Sequence, residues 1–352
     1  MAARDPSKWH ATSHQAKIGL MADMLERYVG CFLGLAAGDA LGAPVEFLSL
    51  DSIRTNYGAD GISDLAPWGH SKPGSYTDDT QMSLATAEGL LGAYPSGLKR
   101  GAGGPAGAVY KRYLKWARSQ IEQPSQRRAP GRTCLSALYG GKMGTIESRI
   151  NDSKGCGGVM RTAPVGLAFP PGLAFRYGAE IGAITHGHPS GYLPAGFISE
   201  LVARILSGED LDSAVGLAVK TLETYRGHEE TLEKVMLAVE LATKREAPER
   251  CIEQIGFGWM GHEALGIALY CSVKFPCDCK GGVLAAVNHS GDSDSTGSIT
   301  GAILGTLLGV GAIPQEWVAN VENCSAIRKI AHDMYRAFQA GEGVSLSEYP
   351  VD

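Results

Sequence analysis

At 352 residues, with 44% hydrophobic and 20% charged side chains, the chain is long enough for a large buried core and is soluble and globular in composition. A net charge of −5 provides no global basic field, which argues against nucleic-acid binding. No apolar run is long enough to span a membrane, the N-terminus lacks a signal-peptide core, and the eight cysteines lack the density of a disulfide framework. The expectation is a cytoplasmic protein with reduced thiols and no membrane contact.

Residues 1–16 are polar and aperiodic and read as an N-terminal arm, disordered or partner-binding. From Lys17, the residues Ile18, Met21, Met24, Leu25, Tyr28 and Val29 recur at helical spacing. That helix runs into Gly30 through Gly42, apolar or small on nearly every face and so central to the core; Asp39 is its lone charge. Asp51 to Ser75 reads as loop, and a second helix is expected from Thr77 to about Ala93. The 96–132 region is Gly-, Pro- and Arg-rich around an amphipathic segment at Tyr110 to Trp116, and reads as an exposed basic insertion in a domain spanning 17–340. A glycine-rich turn, Gly155 to Arg161, follows. Helical periodicity then recurs at 173–186, 193–206, 211–224, 232–242, 259–270 and 321–338, before a tail at 341–352. No alternating run argues for a sheet, so the chain reads as one all-α domain. Glycine, at 47 residues without a triplet period, suits close helix packing.

Two stretches carry the chemistry. Between Gly281 and Pro314 the only formal charges are Asp292 and Asp294, set among Ser290, Ser293, Ser295 and Thr296. Between Gly74 and Leu98 they are Asp78, Asp79 and Glu88, again opening an apolar helix. Such residues serve as helix caps, but one cap needs one side chain, and buried carboxylates are costly unless paired. Thr77, Asp78, Asp79, Asp292, Asp294 and Ser295 together form an oxygen-only donor set for Mg²⁺ or Mn²⁺, with room for two ions. Zinc is disfavoured, because neither the Thr77–Asp79 motif nor the Asp292–Ser295 motif holds histidine or cysteine; Cys277-Asp278-Cys279 has no second pair and is a weak zinc signal. The Gly155, Gly157, Gly158, Met160, Arg161 turn reads either as tight structure or as backbone amides facing an anion. Taken alone, His186 reads as a backbone-satisfied polar residue or a catalyst, and Trp259 as a core or helix-start aromatic.

Five stretches in order resemble the ADP-ribosylglycohydrolase family: Gly34 to Phe47, Tyr76 to Met82, Gly155 to Arg161, Thr185-His186 and Gly291 to Gly297. The resemblance spans about Tyr28 to Phe338. It implies a compact all-α domain with a central dinuclear Mg²⁺ or Mn²⁺ site. The implied metal ligands are Thr77, Asp78, Asp79, Asp292, Asp294 and Ser295, with Thr296 an alternative hydroxyl. It implies hydrolysis of the bond joining ADP-ribose to a protein side chain, most often arginine. Glu46, Asp78 and Asp79 are the candidates for proton transfer, and Gly155, Gly157, Gly158, Met160, Arg161 and His186 for substrate contacts. The partner is then an ADP-ribosylated protein. An alternative is an immunity protein whose N-terminal arm occludes an ADP-ribosyltransferase toxin.

Overall fold

The computed structural model describes residues 24–94, 104–345 and 347–350. The N-terminal arm, the first turns of the helix expected from Lys17 and residues 96–103 lie outside the described residues. Among the described residues, sixteen α-helices follow in order: α1 (Met24–Gly42), α2 (Leu50–Tyr57), α3 (Asp78–Ala93), α4 (Gly104–Glu122), α5 (Arg132–Tyr139), α6 (Ala163–Ala168), α7 (Leu173–Ala183), α8 (Pro189–Leu206), α9 (Leu211–Leu222), α10 (Glu229–Ala242), α11 (Pro248–Ile255), α12 (Gly261–Lys274), α13 (Cys279–Val287), α14 (Ser293–Leu308), α15 (Gln315–Asn320) and α16 (Cys324–Phe338). Among the described residues, extended pairing is confined to one isolated bridge, Gly155 with Met260. The all-α expectation holds.

Two helices buried on every side, α1 and α14, form the axis of the core. Their glycines bring backbone against backbone. A Cβ on Gly30 would lie 2.2 Å from the Gly305 carbonyl, one on Gly34 2.2 Å from that of Gly301, and one on Gly38 2.0 Å from that of Gly297. Numbers rise along one helix as they fall along the other, so the pair is antiparallel. The C-terminal end of α1 therefore meets the N-terminal end of α14, which places Asp39 and Glu46 beside Asp292 and Asp294.

Asp39 also ties in α3. It accepts the Thr77 and Thr80 amides at 2.8 and 2.9 Å and the Thr80 hydroxyl at 2.6 Å. These amides belong to the donors that a helix start leaves unsatisfied. The Thr77 side chain caps the same turn, accepting the Asp79 amide at 3.3 Å.

The 104–122 part of the expected insertion is corrected, because α4 packs on α3. Val109, Tyr113, Trp116 and Ala117 are buried, and a Cβ on Gly89 would lie 2.7 Å from the Val109 Cα. Tyr113 meets the Thr86 hydroxyl at 2.5 Å, and the Trp116 indole donates to Gln81 at 2.9 Å. The basic composition belongs to one face, where Lys111, Lys115 and Arg118 are exposed. The loop expected from Asp51 is corrected at its start, where helix α2 runs to Tyr57 behind its N-cap Ser49. In the tail, Tyr349 is buried and its hydroxyl donates to Asp333 of α16 at 2.5 Å.

Candidate active site

Six carboxylates converge where α1, α3 and α14 meet: Asp39, Glu46, Asp78, Asp79, Asp292 and Asp294. The five aspartates are buried, and Glu46, in the turn after α1, is half-buried. Glu46, Asp292 and Asp294 each offer an oxygen, and these lie within 4.8 Å of one another. Among the described residues no lysine or arginine forms an ion pair with any of the six.

Electrostatics register the missing charge. Burial, reinforced by Asp294, pushes Asp39 up to about 7. Burial together with Asp294 and Asp292 pushes Glu46 up to about 10, and burial pushes Asp78 up to about 8. Asp79 and Asp292 are driven well above the carboxylate range by burial and then by Asp294; burial raises Asp294 too. Groups arranged this way either hold protons or hold a cation.

Hydrogen bonding favours the cation. Asp78 accepts the Gly131 amide at 3.0 Å through Oδ2, and Asp79 Oδ2 faces the Thr77 hydroxyl at 3.4 Å. Asp79 Oδ1 is buried with no hydrogen-bond partner. Such an oxygen costs about 1–3 kcal/mol unless something fills its coordination. Asp292 and Asp294 both receive the Ser295 amide, at 3.3 and 2.9 Å, so one cap leaves carboxylate oxygens over. The donor set suits hard divalent cations. Of the two hydroxyl candidates, Thr296 is engaged behind the helix with Ala286, Asp292 and His289, at 2.7, 2.8 and 2.9 Å. Ser295 remains on the carboxylate side, next to Met160.

The glycine-rich turn lies below this cluster, and its residues divide. A Cβ on Gly157 would lie 2.8 Å from Cys134 Sγ and 2.9 Å from the His186 ring, and one on Gly158 2.5 Å from the Gly191 carbonyl. Close packing alone therefore requires both glycines. Arg161, expected among the substrate contacts of this turn, keeps its guanidinium inside the fold. It is fully buried, donates to the Thr185 hydroxyl at 2.6 Å and lies over the Tyr113 ring at 4.5 Å. His186 is buried as well, its Nδ1 2.8 Å from the Thr185 hydroxyl, and burial lowers its pKa to about 3, leaving the ring neutral.

At the rim, Phe47 follows Glu46 with φ at +65°, is 73% exposed and stacks on Trp259 at 4.9 Å. Two contributors have no site role in the sequence reading. Asp39, visible as the lone charge of an apolar helix, cross-links α1 to α3. Cys156 sets Sγ 2.7 Å from Asp292 Oδ2, and nothing in the sequence joins the two.

A family model described as ADP-ribosylglycohydrolase matches residues 20–343. The chain belongs to the ADP-ribosylglycohydrolase family. It is 26% identical over 303 residues to the ADP-ribosyl-dinitrogen reductase glycohydrolase of Rhodospirillum rubrum, covering 84% of this chain and 90% of that one. It is 26% identical over 327 residues to the ADP-ribosylarginine hydrolase Tri1 of Pseudomonas putida, covering 90% and 80%. A solved structure titled ADP-ribosylglycohydrolase-related protein complex matches with a TM-score of 0.70 at 26% identity, covering 91% of this chain and all of that one. Membership of the ADP-ribosylglycohydrolase family supports hydrolysis of ADP-ribosyl linkages as the activity. No helix among the described residues is long and apolar enough to cross a membrane.

Proposed function

We propose that this glycohydrolase removes ADP-ribose from modified arginine side chains of protein and depends on two divalent cations, Mg²⁺ or Mn²⁺. The observation that carries the reading is the buried six-carboxylate cluster with no cationic partner and an orphaned Asp79 Oδ1. The arginine linkage draws support from the Tri1 relative, whose name specifies it.

Thr77, Asp78, Asp79, Asp292, Asp294 and Ser295 would hold the cations, with Asp39 fixing the α3 half of the set. When bound, the ions supply positive charge that orients ribose hydroxyls and water and offsets carboxylate repulsion. Glu46 is assigned the proton transfer. Asp78 is fixed by Gly131 and Asp79 lies against Thr77, whereas Glu46 is half-buried at the open side of the cluster. Its Oε atoms take a proton from water or give one to the departing guanidino nitrogen, as the anomeric carbon acquires oxocarbenium character. The aspartates beside it favour that positive charge. Gly155, Gly157, Gly158 and Met160, with the exposed Phe47–Trp259 stack, are assigned to the ADP-ribose and its acceptor; His186 packs against Gly157 and would support that turn.

The test is release of ADP-ribose from arginine-, serine- and aspartate-linked substrates, with and without Mg²⁺ and Mn²⁺. Cation-dependent release from arginine is expected. Turnover that survives complete chelation, or that occurs only on another linkage, overturns the reading.

A further inference from the structure

The basic face of α4 and α5 has no part in the reaction, yet it adjoins the carboxylate cluster. From Gly104 to Lys142, Glu122 is the one acid against eight lysines and arginines, in a chain of net charge −5. Two of the eight are spent inside the fold: Arg112 pairs with Glu88 at 3.1 Å and Arg128 with Glu322 at 2.7 Å. Lys115, Arg118, Arg127 and Arg132 are exposed, and none of them forms an ion pair among the described residues. Lys111, Lys115 and Arg118 share one stripe of α4 at helical spacing, where like charges repel, so the fold itself gains nothing from the arrangement. Apolar groups stand exposed among them, Ile121 at 67% and Tyr139 at 49%. The Tyr139 hydroxyl donates to the Ala117 carbonyl at 2.9 Å, which sets the outer row of α5 beside that of α4. Arginine and tyrosine gathered around an apolar spot is the composition of a protein interface.

This face is stitched to the α3 half of the site. Gln81, three residues after Asp78, accepts from the Trp116 indole at 2.9 Å and from Gln120 at 3.2 Å, and donates to the Gln126 carbonyl at 3.0 Å. The Gly131 amide, at the start of α5, reaches Asp78 Oδ2 at 3.0 Å. Arg127 and Arg132 therefore flank the point where the loop between α4 and α5 meets the cluster.

We propose that this face docks an acidic surface of the ADP-ribosylated target protein, so that the enzyme acts preferentially on a modified side chain flanked by Asp and Glu. It rests on the reading of the neighbouring cluster as the site that removes ADP-ribose. A net-negative enzyme repels an acidic target as a whole; a basic face beside the site reverses that field locally, speeds the encounter and sets the orientation of the modified side chain. The arginines suit the task, because a guanidinium fork takes a carboxylate in two parallel hydrogen bonds.

Two peptides carrying one ADP-ribosylarginine test the docking, one with glutamate flanks and one with lysine flanks, beside free ADP-ribosylarginine. The variants are R118E, R132E and, as a control with the same change of net charge, R226E, exposed between α9 and α10; each is checked for a wild-type melting transition. Wild type and R226E should favour the glutamate-flanked peptide by about tenfold or more in kcat/KM at low ionic strength, an advantage that fades as salt rises. R118E and R132E should lose it through KM, with kcat and turnover of the free compound unchanged. A preference that survives both reversals, or that falls equally in R226E, overturns the proposal. Binding of a fluorescent, unmodified glutamate-rich peptide, followed by anisotropy, reads the face without turnover: affinity should fall by about tenfold in R118E and R132E but not in R226E. A single-stranded DNA oligonucleotide that binds more tightly than this peptide at the same salt assigns the face to nucleic acid and overturns the proposal too. If free ADP-ribosylarginine is not hydrolysed while the peptide binds through Arg118 and Arg132, the docking face stands and the linkage assignment fails.

Discussion

Asp39 makes the case at the scale of one residue. Its two oxygens accept three hydrogens from the start of α3, so it sets where Thr77, Asp78 and Asp79 stand. In Asp39→Asn an amide NH₂ meets those donors, and about 1–3 kcal/mol of stability is lost. The cation requirement should rise with it, read as the Mg²⁺ concentration for half-maximal turnover. Asp292→Asn keeps the cap geometry but removes one charge of the proposed ligand set: turnover should fall by about 10²-fold or more while the melting temperature changes little. Full activity would remove Asp292 from the site. His289 behaves in the opposite sense to the carboxylates. Burial lowers its pKa to about 4 against an ordinary 6.5, so the native state binds fewer protons than the unfolded chain. Stability from the neutral ring is complete above the unfolded pKa and is lost as pH falls from about 6.5 toward 4. His289→Gln should therefore show a shallower loss of stability than wild type across that window, measured by urea unfolding at stepped pH.

At the scale of elements, the α1–α14 pair determines where the carboxylates meet. Because the backbones touch, a methyl group has nowhere to go: Gly34→Ala or Gly301→Ala should cost at least the roughly 1–3 kcal/mol of an overpacked core and spread the two halves of the site. Gly311→Ala, with nothing within 4 Å of the added Cβ, is the neutral control. Thermal melts of the three variants separate the outcomes. The sequence made these two helices plain, since both are apolar all round and punctuated by lone acids. It did not reveal their register, because Gly34 carries no sign of Gly301. Helix α2 escaped notice because only Ile53 among its eight residues is buried, leaving no periodic face to read. Helix α4 is amphipathic in sequence, but charge on one face says nothing of what the other face covers.

For the whole molecule, the site's composition was legible and its assembly was not. Asp78 and Asp292 are both oddities of charge in apolar sequence, but only the antiparallel packing brings residues so far apart in the chain together. Arg161 and His186 show the limit from the other side: motif position suggested substrate contact, while packing against Tyr113 and Thr185 uses them inside the fold. Divalent cations bound at this junction would tie α1, α3 and α14 together, and they bind only the folded chain. They should then stabilise it by mass action, about 2.7 kcal/mol at a hundredfold excess over the dissociation constant. The melting temperature should rise by several degrees with Mg²⁺ or Mn²⁺ and return on chelation. Asp79→Asn should abolish that response, because it alters the carboxylate whose Oδ1 has no protein partner. Gly311→Ala should retain it. A wild-type protein whose melting ignores both cations would mean that protons, and not metal ions, neutralise the six carboxylates.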